Sequence, residues 1–318
     1  MDETDRIERR LKLHDLRVLM SVVEQGSMGK AAELLATSQP AVSRAIADLE
    51  HSLGVRLLDR GPRGIAPTPY GRAFIKRGVA VFDELKQGVK DIEYLSDPTA
   101  GEVRIGAPIG LAGFLSLVID RLARRHPRVV CHLITGEGTI PFRALEARDV
   151  DLVITRIVTP IAEDHMHAEV LFEVSRVVMA ATGNPWSRRR RVALADLMNE
   201  PWTLPAPDSL PGRMAADDFR AAGLDVPRTT VVTFTDVARV ALVAKGRFLT
   251  IAGKIAIEFA GGHTAIKVLP IELAKSHGFA GIVTLKNRTL TPVAQLFIDC
   301  AREVAKPLAR RNATVKFS

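Results

Sequence analysis

The stretch Ser27–Glu50 constrains this 318-residue chain more than any other. It reads Ser27-Met28-Gly29-Lys30-Ala31-Ala32-Glu33-Leu34-Leu35, then Ala36-Thr37, then Ser38-Gln39-Pro40-Ala41-Val42-Ser43-Arg44-Ala45-Ile46-Ala47-Asp48-Leu49-Glu50. The spacing predicts two short amphipathic helices joined by a tight turn. Ser27 and Ser38 stand where a hydroxyl can accept from an otherwise unpaired helix amide. Pro40 falls in a first turn, where a missing donor costs little. Ala31, Ala32, Leu34 and Leu35 are expected to pack inward from the first helix, and Ala41, Val42, Ile46 and Leu49 from the second. A preceding helix, from about Asp15 to Gln25, offers Leu16, Leu19, Met20 and Val23 at helical spacing. Gly26 supplies its left-handed end.

The second helix carries Gln39, Ser43 and Arg44 on its outer face, near its N-terminus. Glutamine matches the edge of adenine in two hydrogen bonds, and arginine matches guanine or a phosphate. A turn between two helices that presents such a face suits the major groove of DNA. Ser27, Lys30, Ser38 and Pro40 join these three as candidate DNA-binding residues. Downstream, Gly54 to Thr68 predicts a two-stranded wing turned by Gly61, Pro62 and Gly64. Arg60 and Arg63 sit where a wing would touch backbone or minor groove. Between residues 56 and 77 there are six basic residues (Arg56, Arg60, Arg63, Arg72, Lys76, Arg77) and one acid, Asp59. That local surplus, rather than the net charge of +8, is the electrostatic footprint of a phosphate-binding surface. Residues 1–97 hold 15 basic and 15 acidic side chains, so the excess lies further along the chain.

From Pro69, with Thr68 as cap, a long helix is expected. Ile75, Gly78, Phe82, Leu85, Val89 and Ile92 recur at alternating spacings of three and four, which is a coiled-coil seam. Ile75, Phe82, Leu85, Val89 and Ile92 are therefore the candidate dimerisation residues. A dimer would place two recognition helices on neighbouring turns of duplex.

After Asp97-Pro98-Thr99-Ala100-Gly101 the pattern becomes alternating strand and helix. Strands are expected at 103–107, 129–134, 151–155, 202–204, 229–234, 247–252 and 281–285, with helices at 111–125, 139–147, 212–222, 236–245 and 291–310. This rhythm predicts an α/β domain with a mostly parallel sheet. Ligands of such sheets bind beyond the carboxyl ends of strands, at helix N-termini. The rule selects Pro108, Ile109, Gly138, Thr139, Arg156, Pro205, Thr235 and Asp236 as candidate effector-binding residues, with Thr139 and Thr235 doubling as helix caps. Arg156 suits a carboxylate or a phosphate.

The segments Ala31-Ala32, Ser38-Gln39-Pro40-Ala41-Val42-Ser43, Leu49-Glu50, Leu53-Gly54, Arg60, Thr68-Pro69-Tyr70-Gly71 and Gly101-Glu102-Val103-Arg104-Ile105-Gly106 together resemble the LysR-type transcriptional regulators over nearly the whole chain. Leu58 and Tyr70 depart mildly from the family, which often has Phe and Ala there. Pro98-Thr99-Ala100-Gly101 and Gly61-Pro62-Arg63-Gly64 look like the subgroup typified by the galactose-binding-protein regulator. The resemblance implies a winged helix-turn-helix (1–68), a linker helix (69–97) and an effector domain (98–318) of two α/β subdomains, like a periplasmic binding protein, with the chain crossing between them near 158–180 and 265–280. It also implies a double-stranded DNA operator, a homodimer or homotetramer, and a small polar co-inducer such as a sugar, sugar acid or other carboxylate, and it leaves room for contact with RNA polymerase. No cofactor or metal is expected.

Competing readings have less to stand on. An enzyme would need a signature such as Gly-x-Gly-x-x-Gly, a P-loop or Gly-x-Ser-x-Gly in a strand-to-helix turn, and none is present. A pure coiled-coil assembly module would not need the basic cluster. His165-Met166-His167 lacks flanking Cys or His and reads as a surface loop, as does Arg188-Arg189-Arg190-Arg191. No apolar run is long enough for a membrane span, and Met1–Lys12 is highly charged, so a cytoplasmic protein is expected. Cys131 and Cys300 read as buried thiols of a reducing compartment.

Overall fold

The computed structural model describes residues 10–61, 64–136, 138–157, 164–233, 235–255, 265–273 and 277–313. The chain divides into two compact units, Met1–Gly88 and Val89–Ser318.

The first unit packs α1 (Leu13–Gln25), α2 (Met28–Leu34) and α3 (Gln39–Leu53) around a core that includes Val18, Leu19, Val22, Ala31, Ala32, Val42, Ile46 and Leu49. The small side chains of Ala31 and Ala32 bring α2 close to its neighbours. Gly26 and Gly54 end α1 and α3 in the left-handed conformation, at φ of 64° and 69°. Three expected inward positions turn out otherwise. Leu34 is exposed at the C-terminal end of α2, and Ala41 is exposed, its place in the stripe taken by Ala45. Met20 is half-buried, and Val18 and Val22 carry the packing of α1 instead.

Strands β1 (Leu58–Gly61) and β2 (Gly64–Pro67) pair antiparallel as the wing. Helix α4 runs from Pro69 to Ser96. Thr68 caps it: its hydroxyl accepts from the Gly71 amide at 3.0 Å and donates to the Arg56 carbonyl at 2.8 Å. Gly71 lies so close to the preceding segment that a Cβ there would sit 2.1 Å from the Leu57 carbonyl oxygen. The seam expected on α4 is corrected in its first half. Ile75 packs on the core of its own unit, a Cβ at Gly78 would meet Leu16, and the Arg17 guanidinium stacks 4.0 Å from the Phe82 ring centroid. The same apolar stripe that would serve a partner helix is used here to seat α4 on α1. Further along the stripe the side chains are open: Leu85 is 49% exposed, Val89 55%, Ile92 66% and Leu95 79%.

The second unit holds two α/β subdomains. Its main sheet has the order β10-β6-β11-β5-β3-β4, with β9 also on β6. These strands are β3 (Ala100–Ala107), β4 (Arg128–Thr135), β5 (Leu152–Ile157), β6 (Met166–Ala181), β9 (Thr250–Gly253), β10 (Ile266–Val268) and β11 (His277–Leu285). A separate parallel pair is formed by β7 (Trp202–Leu204) and β8 (Thr229–Val232). Helices α5 (Ala112–Arg125) and α9 (Pro292–Ala313) cover the first subdomain, whose core includes Phe114, Leu115, Ile105, Phe172 and Phe297. Helix α6 (Ile140–Glu146) also belongs to it, while α7 (Leu210–Ala221) and α8 (Asp236–Ala244) belong to the second, built around Trp202 and Phe219.

The expectation of a mostly parallel sheet is corrected. Strand β3 is parallel to β4 and β5, but β11 is antiparallel to both β5 and β6, and β6 is antiparallel to β9 and β10. The first expected crossing is itself a sixteen-residue strand, β6. Met166 to Ser175 pairs with β11 in the first subdomain, and Arg176 to Ala181 pairs with β9 and β10 in the second. The return crossing runs from β10 to β11. The first connection is therefore itself a strand of the sheet, and it ties the two subdomains together through paired backbone.

Replacing Gly71 by Ala should lower stability by about 1–3 kcal/mol, because the new methyl strikes backbone rather than a movable side chain. Thermal unfolding of the purified variant reads this directly, and a loss within 0.5 °C of zero would contradict the packing described.

Candidate functional site

Two surfaces carry the candidate residues. The first is the N-terminal end of α3. The Ser38 hydroxyl accepts from the Ala41 amide at 3.4 Å, and Pro40 sits in the first turn. Gln39, Pro40 and Arg44 are exposed, Ser43 is half-buried, and the buried face is Val42, Ala45, Ile46 and Leu49. The polar tip of the helix is thus presented outward while its other side is fixed in the core. Lys30 on α2 is exposed nearby in sequence. Ser27 occupies the cap position of α2, but its hydroxyl makes no capping bond, which corrects that expectation.

The wing is fastened to this helix by a residue that sequence reasoning quoted only as part of a motif. One Glu50 carboxylate oxygen accepts from the Leu57 amide at 2.7 Å and from the Leu58 amide at 3.1 Å. On the other side, the Ile65 amide donates to the Gly26 carbonyl at 3.1 Å. Arg60 is exposed on β1. Arg63, the other wing candidate, lies outside the described residues.

The second surface is the junction of the subdomains. After β3 comes Pro108 and a 3-10 turn, Ile109–Leu111, and a Cβ on Gly110 would lie 2.8 Å from Asp236 Oδ2 at the start of α8. Pro108 and Ile109 of one subdomain and Thr235 and Asp236 of the other are thereby brought face to face. The Asp236 carboxylate is already bound by the buried Arg239, whose Nη1 also donates to the Thr233 carbonyl at 2.7 Å. Thr139 and Thr235 make no side-chain capping bond, contrary to expectation. Thr139 has helical dihedrals rather than the extended ones of a cap. Gly138 adopts a left-handed φ of 63° and is exposed. Pro205 is buried beside Ala206, against the first turn of α7, where Gly212 approaches the Ala206 carbonyl.

Arg156, near the end of β5, stands in register opposite Ala280 of β11. Its guanidinium reaches the second subdomain, since a Cβ on Gly253 of β9 would lie 2.8 Å from its Nη2. Beside it, Arg176 of β6 is held by both oxygens of Asp218 on α7, at 2.8 and 2.9 Å, and all of this pair is buried. Burial pushes the Arg156 pKa down to about 10; the Arg176 charge adds to the depression, and Asp218 partly offsets it. Arg176, Asp218 and Gly253 were not selected from the sequence. The only signal for Arg176 is a single charge in the apolar run Val174-Ser175-Arg176-Val177-Val178-Met179, inside a segment read as a connection.

Remaining candidates have ordinary roles. Cys131 is half-buried and Cys300 buried, both as free thiols, and burial raises the pKa of each. His165 approaches Glu146 at 3.6 Å, and among the described residues no three His, Cys, Asp or Glu side chains gather as metal ligands. Arg188 to Arg191 are exposed. Among the described residues no helix is long and apolar enough to cross a membrane.

Comparison with known proteins bears on both surfaces. Residues 13–72 match the family described as "Bacterial regulatory helix-turn-helix protein, lysR family", and residues 96–306 match the "LysR substrate binding domain". The transcriptional dual regulator GltC of Bacillus subtilis is 30% identical over 91% of this chain and 96% of its own length. The regulator GbpR of Azospirillum brasilense is 26% identical over 96% of this chain and 90% of its own length. Among solved structures, a full-length OxyR of Pseudomonas aeruginosa superposes with a TM-score of 0.64 at 20% identity, covering 93% of this chain and 97% of that one. CbnR complexed with its target DNA superposes with a TM-score of 0.62 at 19% identity, covering 92% and 100%.

Proposed function

This chain belongs to the LysR family of bacterial DNA-binding transcriptional regulators, and from that premise we propose that it reads its operator through Gln39, Ser43 and Arg44 and answers to a small polar metabolite held between its two α/β subdomains. The observation that carries the first part is the presentation of α3: a capped, proline-initiated helix whose polar first turns are exposed while its opposite side is locked in the core. Phosphate contacts from Arg60, Arg63 and Lys30 would set the register of the protein on the duplex, and base-edge contacts from Gln39 and Arg44 would set the sequence. The ligand reading rests on the approach of the Pro108–Leu111 turn to the start of α8 and on the uncapped hydroxyls of Thr139 and Thr235. A sugar, sugar acid or other carboxylate is the class of metabolite in view. Such a ligand acts only through different affinities for two arrangements of the paired DNA-binding units.

Pairing of two chains is assigned to the C-terminal half of α4. Leu85, Val89, Ile92 and Leu95 form an apolar row that the chain leaves open, unlike Ile75 and Phe82, which are engaged within their own unit. Open apolar rows of this length on a helix are costly in water and are relieved by a second helix.

Two outcomes follow. Gln39→Ala and Arg44→Ala should each reduce preference for a selected operator over random duplex by about 1–3 kcal/mol, while binding to random duplex changes little for Gln39→Ala. Fluorescence anisotropy at fixed salt measures both. The double variant Val89→Glu, Ile92→Glu should convert a dimer to a monomer by light scattering and weaken operator binding about a hundredfold, the loss of paired binding. A double variant that stays dimeric would move the interface elsewhere.

A further inference from the structure

The positive excess of this chain lies after residue 97, outside the recognition helix, and the second subdomain gathers much of it in one place. Arg188, Arg189, Arg190 and Arg191 follow one another in a loop, and all four are exposed. Two neighbouring segments bring more charge of the same sign. The Asn184 side chain donates to the Gly246 carbonyl at 3.1 Å, which sets the turn carrying the exposed Lys245 and Arg247 beside the start of the loop. The Lys267 ammonium of β10 donates to the Ser187 carbonyl at 2.7 Å. Together these bases nearly equal the whole net charge of +8.

No acid answers them. Among the described residues none of these side chains forms an ion pair. Glu200 accepts from the Trp186 indole at 2.9 Å, and Asp196 accepts from the Ala193 amide at 2.9 Å, so both are engaged in shaping the loop. Glu272 lines a shallow pocket with Val192, Ala193 and Leu194 and pairs with no arginine of the run.

The frame beneath the charges is fixed. Asn184 accepts from the Trp186 amide at 3.0 Å. The buried Ser187 hydroxyl reaches the Thr182 and Asn184 carbonyls, each at 2.7 Å. Beyond the run, Val192 and Leu194 are buried in the core around Trp202. Four like charges are thus held side by side between two anchored ends, where a flexible tail would let them spread. The Arg189 guanidinium lies 6.0 Å from the Trp186 ring centroid, which sets an aromatic surface beside the cations. Because folding has already ordered this backbone, binding has only side chains left to order.

We propose that this face of the second subdomain grips the phosphate backbone of duplex DNA, beyond the stretch held by the recognition helices and without reading its sequence. Guanidinium forks match pairs of phosphate oxygens, and a duplex offers one negative charge per about 1.7 Å of its axis. An acidic protein partner would need an apolar centre as well as charge. Among the described residues the large exposed apolar side chains of this subdomain are Leu210, Val226, Val232 and Val237, and none lies in the three basic segments. Charge without an apolar centre suits a polyphosphate chain. The contact goes beyond the operator reading by Gln39, Ser43 and Arg44: those residues set which sequence is bound, and this face adds affinity that grows with duplex length and falls with salt.

The test uses the full-length protein and an operator recovered by fragment selection, as two duplexes. One holds the dyad alone, and the other adds about three helical turns of unrelated sequence on each side. Wild type should bind the flanked duplex at least about tenfold more tightly at low salt, with a slope of log K against log salt steeper by about 2–4. The variant Arg188→Gln, Arg189→Gln, Arg190→Gln, Arg191→Gln should lose that gain and the extra slope. It should keep the wild-type melting temperature, affinity for the bare dyad and preference for the operator over scrambled duplex. The variant Arg124→Gln, Arg213→Gln, Arg220→Gln, Arg228→Gln lowers the net charge equally at exposed positions elsewhere and should behave as wild type. The proposal is overturned if flanks add nothing to wild-type binding, if the first variant keeps the gain, or if the second variant loses as much. A wild type that binds polyglutamate through the four arginines, with DNA binding unchanged by their loss, would give the face to an acidic protein and overturn it too. None of these failures touches the operator reading, whose readout is sequence preference on the bare dyad.

Discussion

The DNA-facing half of this protein depends on the peptide group at Leu57. Its amide is held by Glu50 at the end of α3, and its carbonyl accepts from the Thr68 amide at 2.9 Å. The missing side chain of Gly71 lets the start of α4 press against the same carbonyl. Recognition helix, wing and linker helix therefore meet at one residue that is itself 1% exposed. A backbone group so enclosed must have its partners supplied, or it costs more than its hydrogen bonds return. Fixing that point fixes the direction of the α3 tip relative to the wing, and with it the geometry that two grooves of DNA would meet.

Control in the ligand-binding half comes from a different device. One strand, β6, belongs to both subdomains, and β11 returns beside it. Ladder hydrogen bonds run continuously through the junction, so relative motion is limited to bending and twisting of strands rather than free rotation about a loop. A small closing force then suffices to select one arrangement, provided that it acts across the junction. Among the described residues, pairs that do so include Gly110 with Asp236 and Arg156 with Gly253. A two-state response needs such differential contacts, because a ligand that touches both states equally shifts nothing.

What was legible in the sequence follows the range of the interactions. The helix-turn-helix is encoded locally. Gly26, Ser38, Pro40 and Thr68 each mark a helix end within four residues of their own position, and the structure finds the three ends they mark with the expected cap or turn. Ser27 holds the extended cap conformation at the start of α2, but its hydroxyl makes no capping bond. The seam on α4 was visible as a period, but no period says which helix lies opposite. Leu16 and Arg17, some sixty residues earlier, take the first half of the stripe. Strand β6 was read as a connection because its partners lie about seventy to a hundred and twenty residues downstream and its residues follow no strict alternation. Arg156 was legible as a strand-end position, whereas Arg176 and Asp218, which give it its meaning, come together only through that unread strand. Local chemistry was thus readable, and the electrostatics of the junction, being non-local, was not.

The central claim is that two copies of this chain present paired recognition helices to a specific duplex. Its most direct test is selection of bound fragments from sheared genomic DNA of the source organism by the purified protein at near-physiological salt, followed by sequencing. The account predicts enrichment of a small set of sites with an interrupted dyad, its half-sites separated by whole turns of the helix. Recovery of fragments with no shared sequence, bound in proportion to length and released together as salt rises, would show phosphate attraction alone and contradict it.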